Sequence, residues 1–142
     1  MSDILSRAII AATAWHQNQI DKGGNPYILH PLQVMLRLQG QSMDVKCAAV
    51  LHDLLEDTAA TPHLVFSLFG KRVAELVDIL TRRQGEDYFA YIDRVKVDAD
   101  AAHIKLADLA ENLRTDRGAP ADKDREFRYR RAVNVLIAAV LP

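Results

Sequence analysis

The sequence has little cysteine, no large excess of charge of either sign and no long apolar run. Its single cysteine, Cys47, excludes an internal disulfide framework and is typical of a protein in the reducing cytoplasm. The net charge of −1 gives no overall attraction to nucleic acid or to an anionic membrane, so neither is expected as a partner. No apolar stretch approaches the roughly 20 residues that a membrane-spanning helix needs.

Apolar residues recur at helical spacing along almost the whole chain, and no segment alternates strictly or carries an Asn-Gly hairpin signal. The sequence also lacks repeats, low-complexity tracts and a linker. The 142 residues therefore predict a single all-α domain, residues 1–142, built as a bundle of about seven or eight helices with short connections.

Several helix ends can be predicted from capping residues. The first helix is expected over about residues 3–19, and Pro31 is expected to open the second. Ser42 can cap a third helix, which is expected to run without a break through the segment HDLLED. Thr61 can cap a fourth helix, which Gly70 ends.

The stretch AAVLHDLLEDT, residues 48–58, places four ionisable groups in an apolar helix. Residues four apart share a helix face, so His52 is expected over Glu56 and Asp53 over Asp57. A buried, unpaired carboxylate costs several kcal/mol, and two acids beyond the His-Asp pair exceed what one imidazole can neutralise. A divalent cation would balance the excess negative charge.

Other segments offer further ligands for such a cation. His30 lies beside Pro31 at the start of the second predicted helix, and Asp108 is an acid inside the apolar segment IKLADLAENLRT. A buried metal could take two imidazoles and two carboxylates from His30, His52, Asp53 and Asp108. Mixed nitrogen and oxygen ligands favour Mn²⁺, Fe²⁺ or Zn²⁺ over Ca²⁺. A polar stripe also follows one face of the Asp108 helix, formed by Lys105, Asp108, Asn112 and Thr115.

The pattern His…His-Asp…Asp on helices resembles the signature of the HD-domain metal-dependent phosphohydrolases. Four segments in order, DKGGNPYILHPLQV, AAVLHDLLEDT, FGKRVAELVDILTRR and IKLADLAENLRT, are similar to motifs of the RelA/SpoT hydrolase domain, over about residues 11–115. That domain removes the 3′-pyrophosphate of the alarmone (p)ppGpp. Because no synthetase domain follows in this sequence, the expectation is a small standalone hydrolase.

The resemblance implies roles for individual residues. The four metal ligands fall on His30, His52, Asp53 and Asp108, and the implied metal is Mn²⁺. The implied catalytic pair is Glu56 and Asp57, which orients a water and takes its proton. Residues implied to contact the nucleotide or to balance phosphoryl charge are Lys22, Tyr27, Lys105, Asn112, Thr115, Arg82 and Arg83.

One departure from the RelA/SpoT pattern leaves alternatives open. Asp21 stands where the family usually has an arginine that packs on guanine, and the exchange loses a cation and a stacking surface. A phosphohydrolase of another nucleotide, such as an adenine alarmone or a nucleoside monophosphate, is therefore an alternative. A catalytically inactive, nucleotide-sensing HD protein is a second. The apolar stripe of the last helix belongs to the core or to a subunit contact, which leaves a homo-oligomer open.

Overall fold

The computed structural model describes residues 3–141, so the predicted domain limits at residues 1 and 142 lie outside the described residues. In this range the chain forms nine helices connected by short loops, one of them a single turn. They are α1 (Ile4–Trp15), α2 (Leu29–Leu36), α3 (Met43–Leu51), α4 (Leu54–Asp57), α5 (Pro62–Phe69), α6 (Lys71–Leu80), α7 (Tyr88–Val95), α8 (Ala99–Asn112) and α9 (Lys123–Val140). The prediction of an all-α fold is confirmed.

Helix α3 lies at the centre of the bundle and contacts α1, α2, α6 and α8. It is buried on nearly every side, because small and branched residues such as Cys47, Ala48 and Val50 are fully shielded from solvent. A helix that is apolar all round is stable only when other helices surround it. The residues that follow α3 are therefore delivered to the middle of the molecule.

Two predicted caps are confirmed. The Ser42 side chain accepts a hydrogen bond from the backbone N–H of Val45, and Thr61 accepts one from Leu64, each at 3.2 Å. Gly70 separates α5 from α6 with a φ of 87°, a left-handed conformation that a residue with a Cβ rarely adopts. These local interactions fix the ends of the helices around α3.

The prediction of an unbroken helix through HDLLED is wrong. Helix α3 ends at Leu51, and α4 begins only at Leu54. The cause is the His52 side chain, whose Nδ1 lies 2.6 Å from the carbonyl oxygen of Ala49. In a continuous helix that carbonyl would accept from the backbone N–H of Asp53. The backbone N–H of Asp57 still donates to the carbonyl oxygen of Asp53 at 3.0 Å, so the next turn starts directly from Asp53.

Other helix ends also differ from the predictions. Helix α1 stops at Trp15 rather than near residue 19, and Asn18 beyond it has a φ of 69°. Helix α2 begins at Leu29, ahead of Pro31, because turns formed by residues 26–30 already lead into it. Helix α9 begins at Lys123, earlier than its apolar stripe indicates.

The loop between α1 and α2 is closed by a backbone bridge. Ile20 and Pro26 form an isolated antiparallel bridge that closes this loop at its base. Within the described part of the chain, no helix has the length and apolarity to cross a lipid bilayer.

Candidate active site and metal centre

The break between α3 and α4 holds His52, which is buried, and Asp53, which lines a pocket. The Nδ1–H of His52 donates to the carbonyl oxygen of Ala49, which leaves the Nε2 lone pair of a neutral ring free. His52 Nε2 lies 3.0 Å from Asp53 Oδ2. A backbone carbonyl therefore orients the ring and selects its tautomer.

Two further helices bring His30 and Asp108 to the same point. His30 comes from the first turn of α2, and Asp108 from the middle of α8. Asp108 Oδ1 lies 2.8 Å from His30 Nε2 and 3.3 Å from His52 Nε2. One nitrogen or oxygen atom from each of His30, His52 and Asp108 lies within 4.8 Å of the others. Asp53 Oδ2 is 3.9 Å from His30 Nε2, so the structure brings the predicted quartet together.

The charges of this cluster and its unpaired imidazole nitrogen are suited to binding a divalent metal. His52 Nε2 is buried and, among the described residues, makes no hydrogen bond despite the carboxylates beside it. Burial lowers the pKa of His52, but Asp53 and Asp108 outweigh it and the net shift is upward. Burial raises the pKa of Asp53, yet His52 outweighs that effect and holds it at about 2. The cluster thus attracts positive charge, and an imidazole lone pair beside two carboxylates suits a transition metal.

Helix α8 supplies two more polar groups around Asp108. Lys105 Nζ lies 2.7 Å from Asp108 Oδ2, and Asn112 Nδ2 donates to Asp108 Oδ1 at 3.2 Å. These contacts fix the Asp108 carboxylate from one turn before and one turn after it. The predicted polar stripe of α8 therefore faces the pocket at these three positions.

The acidic pair of α4 lies on the wall of the pocket. The backbone N–H of Arg82 donates to Glu56 Oε1 at 2.7 Å. Both side chains are exposed, yet partial desolvation by the pocket wall raises the pKa of Glu56 and of Asp57. The charge of Asp53 adds to the rise for each. A raised pKa suits a carboxylate that must take a proton from water.

Tyr27 contacts the acids rather than open solvent. Its hydroxyl donates a hydrogen bond to Asp53 Oδ2. Burial and the charge of Asp53 raise the pKa of Tyr27, so the phenol stays protonated and remains a donor. Tyr27 thus lines the pocket and orients the Asp53 carboxylate.

The loop that contains Asp21 and Lys22 forms one edge of the pocket. Asp21 Oδ1 accepts from the backbone N–H groups of Gly23 and Asn25, both at 2.9 Å. Gly23 is required here, because a Cβ would come within 1.9 Å of the Arg117 carbonyl oxygen. Asp21 thus shapes a loop that packs on the α8–α9 connection, while Lys22 is exposed at the rim.

The pocket has a cavity volume of about 500 Å³ and carries charges of both signs. Five acids line it, most of them around the metal-type cluster: Asp21, Asp53, Glu56, Asp57 and Asp108. Five cations also line it: Lys22, Arg82, Lys105, Arg117 and Arg125. A divalent cation bound to the acids would leave the pocket with net positive charge, which suits a polyanionic ligand.

Two predicted contact residues do not line the pocket. The Arg83 guanidinium bonds the backbone carbonyls of Asp78 and Thr81 at the end of α6, at 2.9 and 2.7 Å, and pairs with the Asp78 carboxylate. It therefore stabilises a helix C-terminus. Thr115 is exposed in the connection after α8.

The structure adds pocket residues that sequence reasoning missed. Arg117 Nη1 lies 3.2 Å from His30 Nδ1, the ring nitrogen that faces away from Asp108. Arg125 and Tyr129 line the pocket from α9. Their spacing of four residues is the signal that could have found them, since it places both on one helix face. Tyr88 lines the pocket from the start of α7.

His16 is buried at the end of α1. Its Nδ1 lies 2.8 Å from Gln19 Oε1, and Gln19 Nε2 donates to the backbone carbonyl of Asp57 at 2.9 Å. The His16 ring also packs against Tyr27, with ring centroids 4.9 Å apart. His16 therefore supports the wall that carries the acidic pair.

Known proteins resemble both the sequence and the fold. The bifunctional (p)ppGpp synthase/hydrolase SpoT of Escherichia coli (strain K12) is 36% identical over 136 residues, which are 87% of this chain and 19% of that protein. The guanosine-3′,5′-bis(diphosphate) 3′-pyrophosphohydrolase of Aquifex aeolicus is 38% identical over 121 residues, 78% of this chain and 17% of that protein. The chain thus spans under a fifth of the length of these relatives.

A solved structure described as "A metazoan ortholog of SpoT hydrolyzes ppGpp and plays a role in starvation responses" has the same fold. It aligns with a TM-score of 0.81 and 26% identity, over 99% of this chain and 86% of that chain. The family described as "HD domain" matches residues 8–133, which is most of the sequence. The chain belongs to the HD-domain family.

Proposed function

We propose that this chain is a metal-dependent phosphohydrolase that removes the 3′-pyrophosphate of a (p)ppGpp-like alarmone. The names of the E. coli and A. aeolicus relatives support this substrate class, as does the description of the metazoan structure. The observation that carries the proposal is the pocket itself, in which a buried imidazole and carboxylate cluster faces a set of cations.

The proposed metal ligands are the imidazoles of His30 and His52 and the carboxylates of Asp53 and Asp108. Mn²⁺ is the proposed ion, with Fe²⁺ and Zn²⁺ as alternatives that the same ligand types accept. A divalent metal at this site supplies Lewis acidity, which lowers the pKa of a water and neutralises charge on phosphoryl oxygens. The ring of His52 is oriented for this role by Ala49, and the carboxylate of Asp53 by Tyr27.

The acidic pair carries out the proton transfer. Glu56 or Asp57 accepts a proton from the attacking water, whose oxygen forms a bond to the phosphorus attached to the ribose 3′-oxygen. The bond between that phosphorus and the 3′-oxygen breaks, the 3′-oxygen takes up a proton, and pyrophosphate leaves as a unit. The raised pKa of each carboxyl makes it a better proton acceptor than an ordinary surface acid.

Cations that line the pocket balance the charge that grows on the phosphoryl oxygens. Lys105 is the first of these, because its ammonium lies on the same helix face as Asp108 and is largely shielded from solvent. Arg82 and Lys22 extend the positive wall toward the opening of the pocket. Preorganised charges of this kind stabilise a transition state without having to reorient during the reaction. Asn112 is proposed to contact the sugar.

Asp21 favours a second candidate within the same reaction class. It lines the pocket and adds negative charge at the edge formed by residues 20–22. An arginine at this position, as the RelA/SpoT pattern usually has, would favour guanine by packing on it. A phosphohydrolase that prefers an adenine alarmone or a nucleoside monophosphate keeps the same metal ligands and the same acidic pair. The base preference is therefore a separate question from the chemistry.

A metal-supplemented screen tests both candidates. Purified protein with Mn²⁺, Fe²⁺ or Zn²⁺ is offered ppGpp, its adenine counterpart and simple nucleotides, and released phosphate and pyrophosphate are measured separately. We expect pyrophosphate from the guanine alarmone. Release from the adenine alarmone alone supports the second candidate, whereas nucleotide binding without any release supports an inactive, nucleotide-sensing protein.

The role of Glu56 has its own test. Glu56→Gln keeps the hydrogen bond to the backbone of Arg82 but removes the proton acceptor, so turnover should fall by about 10²–10⁴ while metal content stays at the wild-type level. Steady-state kinetics and metal analysis on the same preparation provide the measurement. Turnover equal to that of the wild type would assign the base to Asp57 alone.

A cytoplasmic location and a single-domain organisation complete the proposal. Cys47 is free and buried, in keeping with a reducing compartment. Whether copies of the chain associate stays a prediction that sedimentation of the purified protein can test.

A further inference from the structure

The Tyr88 hydroxyl is an unusual group in this pocket. Tyr88 is the first residue of α7, its hydroxyl oxygen is buried, and no group in residues 3–141 is placed to hydrogen-bond with it. A buried hydroxyl without a partner lowers stability, so such groups are rare in folded proteins. Tyr91 on the same helix shows the usual arrangement, because its hydroxyl donates to the backbone carbonyl of Leu80 at 2.6 Å.

Two guanidinium groups and a second aromatic ring pack against the Tyr88 ring. The guanidinium of Arg82 lies 5.4 Å from the ring centroid, and that of Arg128 lies 5.3 Å from it. The Tyr129 ring packs nearby, with centroids 6.2 Å apart. Cations over an aromatic face are attracted by its quadrupole. The connection before α7 and helix α9 therefore fix the direction in which the hydroxyl points.

Tyr88 lines the same pocket as Lys105 and Asp108. The ring centroids of Tyr88 and Tyr91 lie 6.1 Å apart, and the Lys105 ammonium lies 5.4 Å from the Tyr91 centroid, so Tyr88 and Lys105 both pack against Tyr91. Burial raises the pKa of Tyr88, so the phenol keeps its proton and can donate it in a hydrogen bond. Among the described residues the ammonium has an acceptor, the Asp108 carboxylate, whereas the phenol has none.

We propose that the Tyr88 hydroxyl donates a hydrogen bond to a non-bridging oxygen of the substrate's phosphoryl group, beside Lys105. This inference rests on the proposed function, since it takes the substrate to be a phosphorylated nucleotide. Phosphoryl oxygens are strong acceptors, and their charge increases as the transition state forms. Tyr88 is then a catalytic residue that neither the motif nor the ligand cluster identified.

A tyrosine-to-phenylalanine exchange separates this role from a structural one. Tyr88→Phe keeps the aromatic ring beside the two guanidinium groups and removes a hydroxyl that has no hydrogen-bond partner among residues 3–141. We expect kcat/KM to fall by about 10- to 100-fold, the loss typical of one hydrogen bond to a charged group. The thermal unfolding midpoint should stay equal or rise, because no hydrogen bond within the protein is lost.

Tyr91→Phe is the matched control for stability. It also removes one hydroxyl from α7, but here a backbone carbonyl loses its donor, so the unfolding midpoint should fall. A midpoint for Tyr88→Phe as low as that for Tyr91→Phe would show that the Tyr88 hydroxyl serves the fold, and this would overturn the inference.

A binding measurement keeps this inference distinct from the proposed function. Calorimetric titration with inorganic pyrophosphate should show weaker binding to Tyr88→Phe than to the wild type, by a factor similar to the kinetic loss. If the wild type hydrolyses no nucleotide, the proposed function fails and the pyrophosphate affinities alone decide the role of Tyr88. Equal pyrophosphate affinity in the two proteins, or full activity of Tyr88→Phe, overturns the inference.

Discussion

Helix α8 carries two buried carboxylates that serve different purposes. Asp108 is 3% exposed and Glu111 is 4% exposed, and they lie one turn apart on the same helix. Asp108 is surrounded by His30, His52 and Lys105. Glu111 is paired with Arg37 and Arg114. Burial of an acid in an apolar helix therefore does not by itself indicate a functional site.

The partners make the difference. Both guanidinium groups bond Glu111 at 3.0 Å, stay charged at any accessible pH and reach solvent, with side chains 42% and 31% exposed. That cluster is complete and links α2 to the end of α8. The Asp108 cluster instead contains an imidazole nitrogen, His52 Nε2, with no hydrogen bond among the described residues. An unmet lone pair beside two carboxylates marks the site that accepts a ligand.

Of the substitutions on α8, Asp108→Asn should have the largest effect on metal content, turnover and stability. The exchange removes one proposed metal ligand and leaves the shielded ammonium of Lys105 without its carboxylate, 2.7 Å away in the wild type. We expect no stoichiometric metal after desalting, no measurable turnover, and a loss of about 3–5 kcal/mol in the free energy of unfolding. Metal analysis, kinetics and denaturant titration measure the three quantities. Retention of metal at the wild-type level would remove Asp108 from the ligand set.

Glu111→Gln is the matched control on the same helix. It weakens two charge-assisted hydrogen bonds, but Arg37 and Arg114 can still turn to water. We expect a loss of about 1–3 kcal/mol in the free energy of unfolding, with metal content and kcat unchanged. Denaturant titration and kinetics on one preparation test this. If Glu111→Gln lost metal as well, the two carboxylates of α8 would form one network, and their separation into structural and functional roles would be wrong.

The ligand cluster could be predicted from the sequence because ionisable residues interrupt apolar helices. His52 with Asp53, and the interruption of an apolar helix by Asp108, violate the expected pattern of a core and so indicate a site. The fold class followed from helical periodicity alone. Glu111 breaks the same pattern, but the sequence does not show that its role is structural. Arg37 is distant in sequence, and an arginine three residues after a glutamate, such as Arg114, is common on helix surfaces.

The break after α3 could not be predicted from helix propensity. The residues of HDLLED have adequate helix propensity. The helix is interrupted because the His52 ring bonds the Ala49 carbonyl oxygen, and propensity does not report such a side-chain contact. The α9 wall was missed for a different reason. Arg125 and Tyr129 sit in a highly charged segment that reads as solvated, and only the packing of α9 on α8 and α7 turns them toward the pocket.

The pH dependence of the free energy of unfolding gives a further, smaller test of the structural role of Glu111. Burial raises the pKa of Glu111, but Arg114 and Arg37 outweigh it, and the net pKa in the folded protein is lowered. In the unfolded chain a glutamate titrates near its ordinary value of about 4.3. A depressed pKa contributes stability that is fully present above the unfolded value and is lost as the pH falls through the folded value.

The difference in unfolding free energy between wild type and Glu111→Gln should therefore be constant from pH 7 to about pH 5.5 and shrink below about pH 4. Other carboxylates, including Asp53 and Asp108, occur in both proteins, so their titration largely cancels in the difference. Denaturant titrations of the two metal-free proteins across this range provide the measurement. A gap that stays constant or widens in acid would mean that Glu111 is not held ionised by its two arginines, and the contrast between the two carboxylates of α8 would have to rest on geometry alone.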